Sequence, residues 1–226
     1  MINKMSILST DNKTVEALKY HNFKSKSIVM ETSLEDLVIS DADVLIIDEQ
    51  NPFSLSTTDI IKMIRTRNSK IIIIALVTTP ISSAKVNNLN AGSDDCVTKP
   101  INPLEISARV NAILRREQSL TDKVTAYEED KFYDLELDNN RRQFFIKGQE
   151  VSLTKIEFLT LLYLVRQKGK IVSRDVLLKD IWQRDADDFS RLVDNVIRRL
   201  RKKLAENQSE TEIVSIWGQG YRIETQ

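Results

Sequence analysis

Two rhythms of apolar and polar positions divide this chain of 226 residues. In the first half, short apolar runs alternate with amphipathic stretches. The runs Met5–Leu8, Val44–Ile47, Ile71–Val77 and a shorter one at Cys96-Val97 end on polar residues, respectively Ser9-Thr10-Asp11, Asp48, Thr78-Thr79 and Thr98-Lys99-Pro100. Between them, Val15–Tyr20, Thr58–Arg67, Ser83–Ala91 and Pro103–Arg116 repeat apolar side chains at helical spacing. Continuously apolar strands need both faces covered, and strands separated by helices are joined by crossovers. The pattern therefore predicts a parallel α/β sheet with helices on both sides. The polar strand ends then share the carboxyl edge, where open sheets of this kind place their sites.

From Glu117 to Lys131 the sequence turns polar and loses any long apolar face, which predicts a linker. Beyond it the rhythm changes to short strands at Phe132–Leu137, Gln143–Lys147 and Glu150–Leu153, then three helices and a terminal hairpin. Thr154 with Glu157 spells a capping box that opens a helix through Gln167, with Gly169 suited to its stop. Ser173 caps a second short helix ending near Trp182, and Asp185 to Asp188 form an acidic loop. The expected organisation is a domain over residues 1–118, a linker over 119–130 and a second domain over 131–226.

The third helix of that domain, Arg191 to Leu204, changes the functional picture. On a wheel of about 100° per residue, Leu192, Val193, Val196, Ile197, Leu200 and Leu204 share one side. Arg191, Asn195, Arg198 and Lys202 cluster opposite, flanked by Arg199 and Arg201. Basic runs are usually solvated surface, but this one lacks the interleaved acids that stabilise an exposed helix. It is also rich in guanidiniums, which suit phosphate and guanine edges. The whole chain balances 33 Lys+Arg against 33 Asp+Glu, so affinity for a polyanion must come from this local patch. A hairpin follows at Val214–Ile223, with Gly218 and Gly220 supplying the backbone freedom of a tight turn. Helix plus hairpin is a winged-helix arrangement, with the helix in the major groove of double-stranded DNA and the wing over the minor groove. Other classes fall away. No apolar run approaches the ~20 residues of a membrane span, and the N-terminus has no signal-peptide pattern. Single Cys96 and single His21 leave no internal disulfide, no zinc cluster and no histidine triad, so a cytoplasmic protein is expected.

The chain resembles a response regulator of the OmpR/PhoB family, a CheY-like receiver followed by a winged helix-turn-helix effector. The resemblance rests on Leu153-Thr154-x-x-Glu157-Phe158-x-x-Leu161, Val172-Ser173-Arg174-x-x-Leu177-Leu178, Val193-Asp194-x-x-Ile197-Arg198-Arg199-Leu200-Arg201-Lys202-Lys203-Leu204 and Gly218-x-Gly220-Tyr221-Arg222. It implies that Arg191, Asn195, Arg198, Arg199, Arg201 and Lys202 face DNA, that the hairpin Trp217, Gly218, Gly220, Tyr221 and Arg222 is the wing, and that the loop from Trp182 to Ser190 faces RNA polymerase. Trp217 stands where the family carries a basic residue. It cannot supply the charge that a narrow minor groove attracts. The expectation is that the indole packs on its own domain, the alternative being a sugar of the DNA.

In the receiver, the resemblance implies phosphoryl transfer from a histidine kinase to Asp48, with Thr78 and Lys99 on the phosphate. Mg²⁺ would be held by Asp11, Asp48 and the Gln50 carbonyl. Thr10 occupies the first of two positions that are acidic in the family, which weakens that site. Cys96 replaces the switch aromatic and reads as a small buried hydrophobe rather than a redox group. The resemblance further implies a homodimer through the fifth strand and the helices on either side of it, with Lys85 pairing Glu105 and Asp95 pairing Arg109 between protomers. Two readings stay open: a regulator independent of phosphorylation, and a conventional one switched at Asp48. An enzyme with an aspartate nucleophile would need a second acid at Gln50 and is set aside.

Overall fold

The computed structural model describes residues 2–20, 25–30, 41–53, 55–78, 82–122, 130–139, 141–182 and 190–225. Its contacts form two compact units, Met1–Asn111 and Ala112–Gln226. In the first, β1 (Ile2–Leu8), β2 (Ser25–Met30), β3 (Val44–Asp48), β4 (Ile72–Val77) and β5 (Asp95–Thr98) make a parallel sheet in the order β2-β1-β3-β4-β5. Helices α1 (Asn12–Tyr20), α2 (Thr57–Arg67), α3 (Ser82–Ala91) and α4 (Pro103–Asp122) accompany it. The central strands β3 and β4 are buried along their whole length, as their unbroken apolar sequence requires. The register sets Leu8 beside Ile47 and Asp48 beside Leu76, so the loops after β1, β3 and β4 meet at one edge. Strand order reverses between β1 and β3, which makes that edge a switch point.

Two departures from the sequence pattern stand out here. Strand β2 carries no long apolar run and is a strand because it pairs with β1 from Ile2↔Ser25 to Ile7↔Met30. Helix α4 continues past Arg116 to Asp122, so the first part of the expected linker is helical, and residues 123–129 lie outside those described.

The second unit opens with an antiparallel sheet of β6 (Asp130–Phe132), β7 (Leu135–Asp138), β8 (Gln143–Ile146) and β9 (Gln149–Glu150). The single strand expected at Phe132–Leu137 is broken at Tyr133, whose φ of 53° turns the chain into a hairpin. Then come α5 (Lys155–Arg166), α6 (Arg174–Leu177), a π-helical turn at Leu178–Trp182, α7 (Ser190–Glu206), and the hairpin β10 (Thr211–Ile216) and β11 (Gly220–Thr225). Both halves of the Thr154–Glu157 capping box are present, and Ser173 accepts from the Val176 amide as an N-cap. The expected acidic loop at 185–188 lies outside the described residues.

The apolar stripe of α7 is buried as predicted: Leu192, Val193, Val196, Ile197, Leu200 and Leu204 all face the core. Beneath them lies a buried carboxylate. Glu157 on α5 accepts from Arg199 Nε at 2.7 Å, from Lys203 Nζ at 2.7 Å and from the Thr154 amide at 2.9 Å. Burial pushes this carboxyl upward, but the charges of Arg199 and Lys203 outweigh it and hold the group at about 2, below its ordinary 4.5.

A depressed acid stabilises the fold above its unfolded pKa, and that contribution disappears as pH falls through the folded one. Here the window runs from pH 4.5 down to about 2, and the contribution at neutral pH is about 3 kcal/mol. Glu157→Gln is therefore expected to lower the stability of the second unit by roughly that amount at pH 7 and to flatten its acid unfolding over the same window. Urea titrations followed by tryptophan fluorescence check this, since both tryptophans, Trp182 and Trp217, belong to the second unit.

Candidate nucleic-acid interface and strand-edge site

Helix α7 does not present the face that the wheel suggested. Arg199 and Lys203, four residues apart, both turn inward to Glu157, and Arg199 is only 9% exposed. Asn195, expected at the centre of the DNA face, is 8% exposed. Arg201 lies against the hairpin, donating from Nε to the Ile213 carbonyl at 2.6 Å and from Nη2 to Ser215 Oγ at 2.9 Å. The cations pointing outward are Arg198 and Lys202, the latter 3.6 Å from Glu206. Arg191 sits on the helix backbone, its side chain outside the description. The expected six-residue face is thus corrected. Arg199 and Asn195 belong to the interior, because a buried acid and the apolar stripe claim the adjoining sector.

A second cluster joins α6, α7 and the hairpin. Arg174 donates to Asp194 Oδ1 at 2.8 Å and to the Tyr221 hydroxyl at 3.0 Å, with its guanidinium 4.6 Å from the Tyr221 ring centre. The Tyr221 hydroxyl in turn donates to Asp194. Burial and that carboxylate push the phenol up to about 12. Sequence reasoning had the motif residues Arg174 and Asp194 but not this link, which no periodicity encodes. Gly220 earns its place sterically, since a Cβ there would lie 2.0 Å from the Val172 carbonyl oxygen. Arg222 is tied to Glu224. Trp217, expected to pack on its own domain, is instead 96% exposed at the hairpin tip.

At the sheet edge, Asp48 is wholly buried. Its Oδ1 accepts from the Gln50 amide at 3.1 Å, and its Oδ2 from Ser9 Oγ at 2.8 Å and Lys99 Nζ at 2.9 Å. Lys99 also reaches Asp11 Oδ2 at 2.7 Å and the Gln50 side-chain oxygen at 3.3 Å. Burial lowers the lysine, but hydrogen bonds to Asp11 and Asp48 prevail and raise it; Lys99 and Thr14 hold Asp11 well below the usual carboxylate range. Thr78 shares the edge, yet its amide and hydroxyl both donate to Glu49 Oε2, at 2.8 and 2.6 Å. Neither Glu49 nor Ser9 was among the residues singled out from the sequence.

The donors present do not make the expected Mg²⁺ site. Asp11 caps α1, taking the Lys13 amide on Oδ1 and the Thr14 hydroxyl on Oδ2, rather than opening toward Asp48. The side chain that does meet Asp48 from this loop is Ser9. The Gln50 carbonyl, the expected third ligand, accepts from Thr10 twice, from the amide at 2.6 Å and the hydroxyl at 3.0 Å. No group of three His, Cys, Asp or Glu able to hold a metal occurs among the described residues. The ammonium of Lys99 balances the two carboxylates instead.

The expected cross-protomer pair of Asp95 and Arg109 closes inside one protomer, at 3.1 Å, and Arg109 also binds Glu105 on its own helix. Burial, against the pull of Arg109, raises Asp95 to about 6. Lys85 is half-buried on α3. Cys96 is buried, and its burial pushes the thiol up to about 12 despite a hydrogen bond shared with Ser93, which makes it a packed hydrophobe with little thiolate.

Residues 148–223 match the family described as "Transcriptional regulatory protein, C terminal". The transcriptional regulatory protein SrrA of Staphylococcus aureus (strain NCTC 8325 / PS 47) is 37% identical over 145 residues, which is 62% of this chain and 60% of that protein. A solved RitR mutant has a TM-score of 0.77 at 17% identity over 99% of this chain and 100% of its own, a likeness of fold. The response regulator DrrB of Thermotoga maritima, described as an OmpR/PhoB homologue, is 30% identical over 98% of this chain and 99% of its own, with a TM-score of 0.49. In architecture the chain is a receiver-type parallel sheet followed by a winged-helix unit. The SrrA match spans 60% of that protein's length. No helix among the described residues is long and apolar enough to cross a membrane.

The donor set predicts that millimolar Mg²⁺ leaves the thermal unfolding midpoint unchanged in differential scanning fluorimetry. Replacing both Ser9 and Thr10 by Asp is expected to introduce a Mg²⁺-dependent rise. A saturable rise in the unaltered protein would contradict the assignment.

Proposed function

We propose that the chain is a sequence-specific, DNA-binding transcription regulator that acts without phosphorylation, its receiver serving as a homodimerisation module. The observation that carries the DNA-binding half is the outward pair Arg198 and Lys202 on a helix whose rotation is fixed from below by Glu157. Exposed cations one turn apart suit successive phosphates or a guanine edge in the major groove. Arg201 extends the same surface on the hairpin side, and Arg191 is assigned to DNA by the resemblance. We assign residues 1–118 to the receiver and 131–226 to the DNA-binding domain, joined through 119–130, and residues 183–189 to contact with RNA polymerase.

The independence from phosphorylation is supported by the strand edge. Each oxygen of Asp48 already accepts a hydrogen bond, the donors for a divalent cation are incomplete, and the Thr78 hydroxyl is held by Glu49. A phosphoryl group arriving at Asp48 would find Lys99 in place but neither a complete donor set for a divalent cation nor a free Thr78 hydroxyl. The second reading, a switch driven by a histidine kinase at Asp48, is favoured by one observation: Asp48, Thr78 and Lys99 do share one edge of the sheet. Dimerisation in either case has to draw on apolar contact around α3, β5 and α4, because exposed ion pairs contribute about 0–1 kcal/mol each.

Incubation with acetyl phosphate and Mg²⁺, read by intact mass and phosphate-affinity electrophoresis, separates the two readings. The expected outcome is no adduct and unchanged gel-shift affinity for Asp48→Ala; stoichiometric modification with altered affinity establishes the switch. For the helix, Arg198→Ala is expected to weaken DNA binding and to reduce the slope of log K against log salt by about one. Arg199→Ala is expected to act differently, lowering the stability of the second unit because it leaves Glu157 short of a partner.

A further inference from the structure

Glu49 follows the buried Asp48 and carries the pairing of β3 with β4 one residue further, its amide donating to the Leu76 carbonyl at 3.2 Å. Its side chain is thereby set beside the end of β4. There the Thr78 amide and hydroxyl converge on one oxygen, Glu49 Oε2, at 2.8 and 2.6 Å. A backbone N–H and a hydroxyl aimed at a single point are the donors of an oxyanion subsite. Thr78 ends the strand that lies between the one bearing Asp48 and the one bearing Lys99. The Lys99 amide, donating to the Val77 carbonyl at 2.8 Å, keeps that third strand end alongside.

The contact between Glu49 and Thr78 differs from the other ion and hydrogen-bond pairs of the molecule. Thr78 is exposed and Glu49 is half-buried, so water can satisfy either group when the contact opens. A carboxylate so placed turns away into solvent without stranding a buried partner. It also adds charge where charge is already in excess. Asp11 and Asp48 share the ammonium of Lys99, at 2.7 and 2.9 Å, and Glu49 makes a third carboxylate at this edge. An oxyanion approaching Asp48 therefore meets two obstacles from one side chain. Its donors are taken, and the added negative charge repels it.

We propose that the Thr78 amide and hydroxyl form an oxyanion subsite whose built-in occupant is Glu49, an autoinhibitory contact that keeps acyl phosphates from reacting at Asp48. It rests on the phosphorylation-free reading above and names the side chain that enforces it. The subsite takes a small tetrahedral oxyanion once Glu49 swings out. For an acyl phosphate, one phosphoryl oxygen then sits on Thr78 while an Asp48 oxygen attacks phosphorus. The bond from phosphorus to the acyl oxygen breaks, and the carboxylate leaves with the electron pair. No proton has to move.

Two measurements on the intact chain test this. In residue-resolved amide exchange, Thr78 is expected to be protected in the native chain and in Glu49→Gln, which keeps an acceptor oxygen. Glu49→Ala is expected to lose that protection. Fast exchange of Thr78 in the native chain overturns the contact. The second measurement follows modification by acetyl phosphate and Mg²⁺ through intact mass, in the native background and in the Ser9→Asp/Thr10→Asp background. Adding Glu49→Ala is expected to speed modification at least about tenfold, a lower bound for one oxyanion donor. The gain is expected to vanish when Thr78→Val is added as well, because the two side chains act through one contact. Equal rates with and without Glu49 in both backgrounds, absence of modification included, overturn the assignment. Rapid modification of the native chain overturns the phosphorylation-free reading instead, and a further gain in Glu49→Ala would still identify Glu49 as the brake.

Discussion

The carboxylate of Glu157 governs what the second unit can offer to a partner. A charge withdrawn from water at the junction of α5 and α7 is tolerated only when fully paired. The pairing comes from Arg199 and Lys203, one helical turn apart, together with the Thr154 amide. Because those two cations must point at α5, the rotation of α7 about its axis is set. Residues one position earlier, Arg198 and Lys202, are then carried about 100° around the helix and out into solvent. The same acid completes the capping box that starts α5, so one side chain ends a loop, opens a helix and aims another.

Charge neutralisation also shapes the first unit, with the signs exchanged. There a single ammonium, that of Lys99, serves two carboxylates, one buried at the end of β3 and one capping α1. The parallel sheet brings these groups together because the loops after β1, β3 and β5 emerge on one edge. Thr78 reaches that edge as well but is spent on Glu49. The result is a closed set of internal hydrogen bonds, a geometry suited to a structural module and poorly suited to receiving a divalent cation. Cys96 is buried on β5, and Asp95 pairs with Arg109 within the chain.

Much of this was legible in the amino-acid order. The apolar runs of β1, β3 and β4, the two helix caps at Thr154 and Ser173, the apolar stripe of α7 and the glycines of the hairpin are local signals, and each produced the element it predicts. Strand β2 escaped because its sequence has no strand signature and is ordered by pairing with β1. The hairpin at Tyr133 escaped because a non-glycine residue at positive φ leaves no compositional mark.

What the sequence by itself determined, then, is periodicity: which positions are apolar, where helices start, and that a basic helix precedes a glycine-bearing hairpin. Periodicity ranks faces but cannot say how far each face is buried. Only the tertiary structure decided that Arg199 and Asn195 lie inside while Arg198 and Lys202 lie outside, since the deciding acid, Glu157, is 42 residues from Arg199 in sequence. It likewise decided that Ser9 rather than Thr10 meets Asp48, that Asp11 is a helix cap, and that Trp217 stands clear of the core. The physical reason is common to all of them. A polar group's fate is fixed by the partner that satisfies it, and those partners were supplied by distant parts of the chain or by loop geometry that no repeat encodes.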